Sequence, residues 1–184
     1  MMIREILVYP DKRLKLISKE VCTFDDSLHT LLDDMYETMC ASNGIGLASI
    51  QVGVDLRVLI INIPLEDPKG EDYADKSQRS DQPKDNTIEM INPVIVQKDG
   101  LEIFQEGCLS IPGVYEDVER AKHIKVEYYD RNGQKQSIDN DAFLAVAIQH
   151  EIDHLDGKVF IEKLSYIKRK KFEKEWKKKL KEER

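Results

Sequence analysis

His150-Glu151-Ile152-Asp153-His154 constrains this chain more than any other stretch. Two imidazoles four residues apart share a face when the backbone is helical, about one turn apart, and from there both can reach one ion. Glu151, beside the first of them, can then handle protons. An H-E-x-x-H pattern on a helix is the mark of a zinc-type hydrolase in which the Glu acts as general base toward a metal-bound water. Two histidines hold a catalytic metal poorly, and three protein ligands with one open position are the usual arrangement. The chain must therefore fold so that a third ligand arrives from elsewhere.

Few residues qualify. Of the four histidines, His29 falls in the Leu28, Leu31, Leu32, Met35, Met39 pattern, which predicts an amphipathic helix with His29 on its wetter side. His123 lies in an alternating strand, Lys122 to Tyr128, and is expected to face solvent. Cys22 and Cys40 read as small, partly buried apolar residues. Cys108 differs: in Glu106-Gly107-Cys108-Leu109-Ser110-Ile111-Pro112-Gly113 it sits between a glycine and a Pro-Gly turn, which predicts a bent loop with exposed polar groups. A thiolate there could complete a Cys-His-His site.

The remaining pattern gives an α+β expectation: mostly antiparallel sheets around a central metal-binding helix, followed by a C-terminal helix. Ile3 to Pro10 reads as an early strand or extended segment, and a helix is expected from Asp25 or Asp26 to about Ala41. Strands are predicted at Arg57–Asn62, Glu89–Val96 and Gly113–Val118. A hairpin joins Lys125–Tyr129 to Gln134–Ile138 across Asp130-Arg131-Asn132-Gly133. The metal-bearing helix is expected to begin between Asp139 and Asp141. Counting back from His150 by seven, four and three places Phe143, Val146 and Ala147 on its metal-bearing face, as either core or the wall of an apolar pocket. From Pro64 to Glu89 the chain is polar and Pro-containing, which predicts a mobile, exposed loop insertion within a single domain spanning residues 1–184.

Three ordered segments, Gly44-Ile45-Gly46-Leu47-Ala48-Ser49-Ile50-Gln51, Glu106-Gly107-Cys108-Leu109-Ser110 and Gln149-His150-Glu151-Ile152-Asp153-His154-Leu155-Asp156-Gly157, resemble the motifs of the peptide deformylase family. The form of the second resembles the bacterial type with a C-terminal helix. Ser49 departs from the Ala common in the first motif, a small change that should leave the chemistry intact. The resemblance implies a hydrolase that removes the formyl group from formyl-methionine at the start of nascent polypeptides, releasing formate. It implies Cys108, His150 and His154 as metal ligands and Glu151 as general acid and base. Gln51 and the Leu109 N–H would stabilise charge on the formyl oxygen, while Ile45 and Gly46 would line the substrate groove. It also favours the pocket reading of Phe143, Val146 and Ala147, as a site for the methionine side chain. A thiolate ligand suits iron or zinc over magnesium or calcium. The resemblance further implies Fe²⁺ as the native ion, with Zn²⁺, Ni²⁺ or Co²⁺ as substitutes. Two rivals share parts of the pattern: a zinc peptidase, which would need a distal His or Glu ligand, and a non-catalytic ribosome- or peptide-binding module, against which the intact Gln51, Cys108 and Glu151 speak.

Charge adds a partner. The chain carries −7 overall, yet residues 168–184 hold ten basic and four acidic residues. This basic tail, with Ile167, Phe172, Trp176 and Leu180 near helical spacing, predicts a helix over residues 166–184 that docks its apolar side on the body. Its charge fits a polyanion, and the resemblance suggests the ribosome. No apolar run approaches the roughly 20 residues of a membrane span, and Met1 to Glu5 lack a secretory profile. Three cysteines without disulfide-like spacing fit a reducing compartment. A bacterial cytoplasmic protein is expected, with neither membrane nor DNA as a partner.

Overall fold

The computed structural model describes residues 2–64 and 82–182. Among these residues three α-helices, α1 (Asp26–Ala41), α2 (Phe143–Leu155) and α3 (Tyr166–Glu182), accompany seven strands. These are β1 (Gly46–Ala48), β2 (Val58–Ile61), β3 (Ile88–Asp99), β4 (Glu102–Cys108), β5 (Ile111–Arg120), β6 (His123–Tyr129) and β7 (Lys135–Asn140). One sheet runs β1-β2-β3-β6-β7 and a second is the β4-β5 hairpin; every pairing in them is antiparallel. The expected α+β arrangement around a central helix is the one found.

The centre follows from Val58-Leu59-Ile60-Ile61, whose four residues are all buried. Successive strand side chains point to opposite faces, so an unbroken apolar run needs cover on both sides. Val58 and Ile60 pack with Leu28, Leu31, Leu32, Met35 and Met39 of α1, while Leu59 and Ile61 pack with Ala147, Ile148 and Ile152 of α2. The sheet thus separates two helices, and α2, covered nearly all round, buries its polar Gln149, His150, Glu151 and His154. A third cluster joins β5 through Ile111 and Val118 to Phe160, Phe172 and Trp176.

Helix α1 starts where expected because the Asp25 carboxylate accepts from the N–H groups of Ser27 and Leu28, a cap that contributes about 1 kcal/mol. The β6-β7 hairpin also forms as predicted, with Tyr129 opposite Lys135. Helix α2, by contrast, starts later than its acidic residues suggest. Asp139 and Asn140 pair with Lys125 and Ile124, so the hairpin extends into the segment expected to begin the helix. The helix ends at Leu155, and two residues on the chain turns away at Gly157, where a φ of +69° and the Lys15 carbonyl oxygen, 2.5 Å from where a Cβ would lie, exclude a side chain.

Three expectations need correction. Glu106 to Gly113 is not a bent loop with exposed polar groups: β4 and β5 form a tight hairpin through Leu109-Ser110, and Glu106 and Ser110 are buried. The segment before Pro10 takes the extended form, one of the two expected for it, held by single bonds from Leu7 N to the Gln51 carbonyl and Tyr9 N to the Ser110 carbonyl. Cys22 is exposed. Ile167 is also exposed, whereas Phe172 and Trp176 dock; five residues of helix turn Ile167 roughly 140° away from Phe172. Of the polar insertion, residues 65–81 lie outside the described residues. Its return is ordered: Gln82 is buried and β3 already begins at Ile88.

Candidate metal centre

Helix α2 presents His150 and His154 from consecutive turns, with ring centroids 5.0 Å apart. The β4-β5 hairpin brings Cys108 to them, its Sγ 3.2 Å from His154 Nε2. The donor atoms of Cys108, His150 and His154 all lie within 4.8 Å of one another. Of the chain's other histidines, His29 approaches the Arg131 carbonyl through Nε2 at 2.8 Å, and His123 sits between Asp99 and Asp139. Neither joins the centre.

The surroundings prepare these ligands. His150 Nδ1 lies 2.8 Å from Glu106 Oε2, which fixes the ring and leaves Nε2 for the centre. Glu106 in turn accepts from Arg120 at 2.6 Å and 2.8 Å, and Arg120 also reaches Asp153. Burial pushes the Glu106 carboxyl up, but the bonds from Arg120 and His150 outweigh it and hold it at about 2. For His150, burial opposes charge, yet hydrogen bonding to Cys108 and Glu106 raises its pKa well above the ordinary imidazole value. Burial, reinforced by His150 and Arg120, holds His154 far below that value. His154 is thus a neutral imidazole with a lone pair to give.

Glu151 stands beside the ligands with its Oε2 among the buried polar atoms that have no hydrogen-bond partner. Burial raises its carboxyl to about 7, with His150 pulling it down and Glu106 pushing it up. A Cβ at residue 46 would fall 2.5 Å from Glu151 Oε1, so the glycine there makes room for this carboxylate. Gln51 is fixed by the Ala48 N–H, which donates to its Oε1 at 2.8 Å. Its Nε2 therefore faces the centre, 3.1 Å from Ser110 Oγ and 3.6 Å from Cys108 Sγ.

A cavity of about 550 Å³ opens onto these groups. Ile45, Gly46, Gln51, Cys108, Leu109, Phe143, Val146, Ala147, His150 and Glu151 all line it. His154 lies behind them, 1% exposed. The structure thus gathers every residue singled out from the sequence. Glu106 and Arg120 were missed as functional residues: they stand fourteen positions apart on a hairpin that was not anticipated, so nothing in the sequence pairs them. A cysteine sulfur and two imidazoles, one of them oriented by a carboxylate, form a donor set that fits a divalent ion of borderline softness. Beside it are a carboxyl able to exchange protons near neutrality, an aimed amide donor and an apolar wall.

Comparisons with known proteins agree with this geometry. The family model described as Polypeptide deformylase matches residues 3–170. The peptide deformylase of Nautilia profundicola is 51% identical over 184 residues, covering all of this chain and 99% of the relative. That of Campylobacter jejuni is 51% identical, covering 98% and 97%. Among solved structures, a peptide deformylase from Legionella pneumophila aligns with a TM-score of 0.81 at 41% identity, covering 99% of each chain. One from Ehrlichia chaffeensis in complex with actinonin aligns at 0.82 and 41%, covering 97% and 98%.

Proposed function

Since the chain belongs to the polypeptide deformylase family, it is a metal-dependent hydrolase that removes the N-terminal formyl group of polypeptides, and we propose that Cys108, His150 and His154 hold its ion while Glu151 carries the protons. The observation that carries this reading is the meeting of those three donors with the unpartnered Glu151 Oε2 at the end of a cavity. A divalent ion in this set supplies Lewis acidity, acidifying water and polarising the formyl oxygen. Glu151 accepts the proton of the attacking water on Oε2 and passes it to the departing amine nitrogen. A C–O bond forms as the formyl C–N bond breaks, leaving formate and a free amino terminus. As charge builds on the formyl oxygen, Gln51 Nε2 and the Leu109 N–H donate to it.

Phe143, Val146 and Ala147 form the wall for the methionine side chain, and Ile45 and Gly46 hydrogen-bond the peptide backbone. The softness of the thiolate suits iron or zinc, and kinship with the family points to Fe²⁺ as the working ion, with Zn²⁺, Ni²⁺ or Co²⁺ able to replace it. The enzyme works in the bacterial cytoplasm, as one domain, on formyl-methionyl chains as they emerge. Among the described residues no helix is long and apolar enough to cross a membrane. Helix α3 serves as the contact to the ribosome: its Phe172 and Trp176 are spent on docking, while Lys174 and Lys177 remain exposed. Lys174→Glu combined with Lys177→Glu should weaken ribosome co-sedimentation at low salt, and unchanged co-sedimentation would remove that role. The activity is tested by formate release from a formyl-Met tripeptide with anaerobically prepared protein. Cleavage of internal peptide bonds without formate release would overturn it.

A further inference from the structure

Gln82 takes no part in the chemistry above, yet its side chain is buried outside the metal centre, 5% exposed. Its Nε2 donates to two main-chain carbonyls, Gly44 at 3.1 Å and Asn62 at 2.6 Å. Both bear on one bank of the cavity. Gly44 directly precedes Ile45, and the Asn62 N–H donates to the Ile45 carbonyl at 2.8 Å. One amide therefore ties together the two strands of backbone that present Ile45 and Gly46.

Gln82 is itself held from several sides. Tyr36 of α1 donates its hydroxyl to the Gln82 carbonyl at 2.7 Å, and Asn62 Nδ2 donates to the next carbonyl, Pro83, at 2.9 Å. Lys84 pairs with Asp33 of α1 at 2.9 Å. Gly44 packs closely against the facing hairpin, since a Cβ there would lie 2.8 Å from Leu109 Cδ1. Its carbonyl takes its donor from outside the loop, from Gln82.

We propose that Gln82 is a positioning residue for the peptide substrate: by holding the Gly44 carbonyl against β2, it sets how Ile45 and Gly46 offer their backbone groups to the substrate chain. This rests on the assignment of Ile45 and Gly46 as peptide-binding residues. Gln82 then governs binding and leaves the proton transfers alone. Removing its donors strands two buried carbonyls and frees the loop to shift.

The test compares metal-loaded wild type with Gln82→Met, which keeps the length and loses both donors, on formyl-methionine and on a formyl-Met tripeptide. We expect KM for the tripeptide to rise about tenfold, the effect of roughly 1.4 kcal/mol, with kcat within about twofold and metal content unchanged. The rise should be smaller for formyl-methionine, which has little backbone to place. Hydrogen exchange across residues 42–48 should quicken. If Gln82→Met does not fold, Gln82→Asn, one methylene short of Gly44, is read by the same criteria. An unchanged tripeptide KM, an equal rise for both substrates, or losses that track metal content would overturn the proposal. Absence of formate release by the wild type would instead sink the functional reading itself.

Discussion

Helices α2 and α3 both carry many polar groups, and they treat them in opposite ways. In α2 the charged and polar side chains of Gln149, His150, Glu151 and His154 are buried, and His150 and Gln149 are held by partners from other elements. In α3 only Phe172 and Trp176 are buried, and its charges pair mainly with neighbours three or four residues away in solvent. Burying a charge is costly unless something offsets it. A helix that keeps such groups inside therefore points to chemistry, whereas solvated pairs contribute little and report only on the surface field.

The contrast can be broken at graded points. Cys108→Ser attacks the centre itself: metal affinity should fall by more than the roughly 10–100-fold loss typical of outer partners, and bound metal and activity with it. Elemental analysis showing unchanged metal would argue against ligation by Cys108. Arg120→Met removes the guanidinium shared by Glu106 and Asp153, leaving the Glu106 carboxylate buried beside His150 without its main partner. It should cost about 3–5 kcal/mol by denaturant unfolding; a loss below about 1 kcal/mol would show that the buried network matters no more than a surface pair. Lys168→Ala removes an exposed pair with Glu116, 2.9 Å apart. Its unfolding midpoint and turnover should match the wild type, and a measurable drop would erase the distinction between the two helices.

The same contrast explains what could be read from the sequence. The histidine spacing on α2, the Asp25 cap of α1 and the β6-β7 turn are local patterns, each set by residues within a few positions of one another. Cys108 could be picked as a ligand because its neighbours marked it, yet β4 could not be seen. In Glu102-Ile103-Phe104-Gln105-Glu106-Gly107-Cys108 the inward positions include Phe104 and Glu106, so a buried carboxylate stands where an apolar residue would mark a core face. Its partner Arg120 becomes its neighbour only when the hairpin closes. The start of α2 was misplaced for a related reason, since pairing of Asp139 and Asn140 with β6 overrides their liking for a helix start. Gln82 lay in a stretch whose composition predicts an exposed loop, and its burial depends on Gly44 and Asn62, which only the fold brings near.

Glu151→Gln offers the most direct check, because it keeps the shape of the side chain and removes only its capacity to take a proton. The variant, prepared anaerobically, should hold one divalent ion per chain as the wild type does. Its formate release from a formyl-Met tripeptide should fall by about 10²–10⁴-fold. Near-normal turnover with the ion in place would contradict the proton role of Glu151 and the reading of the centre built on it.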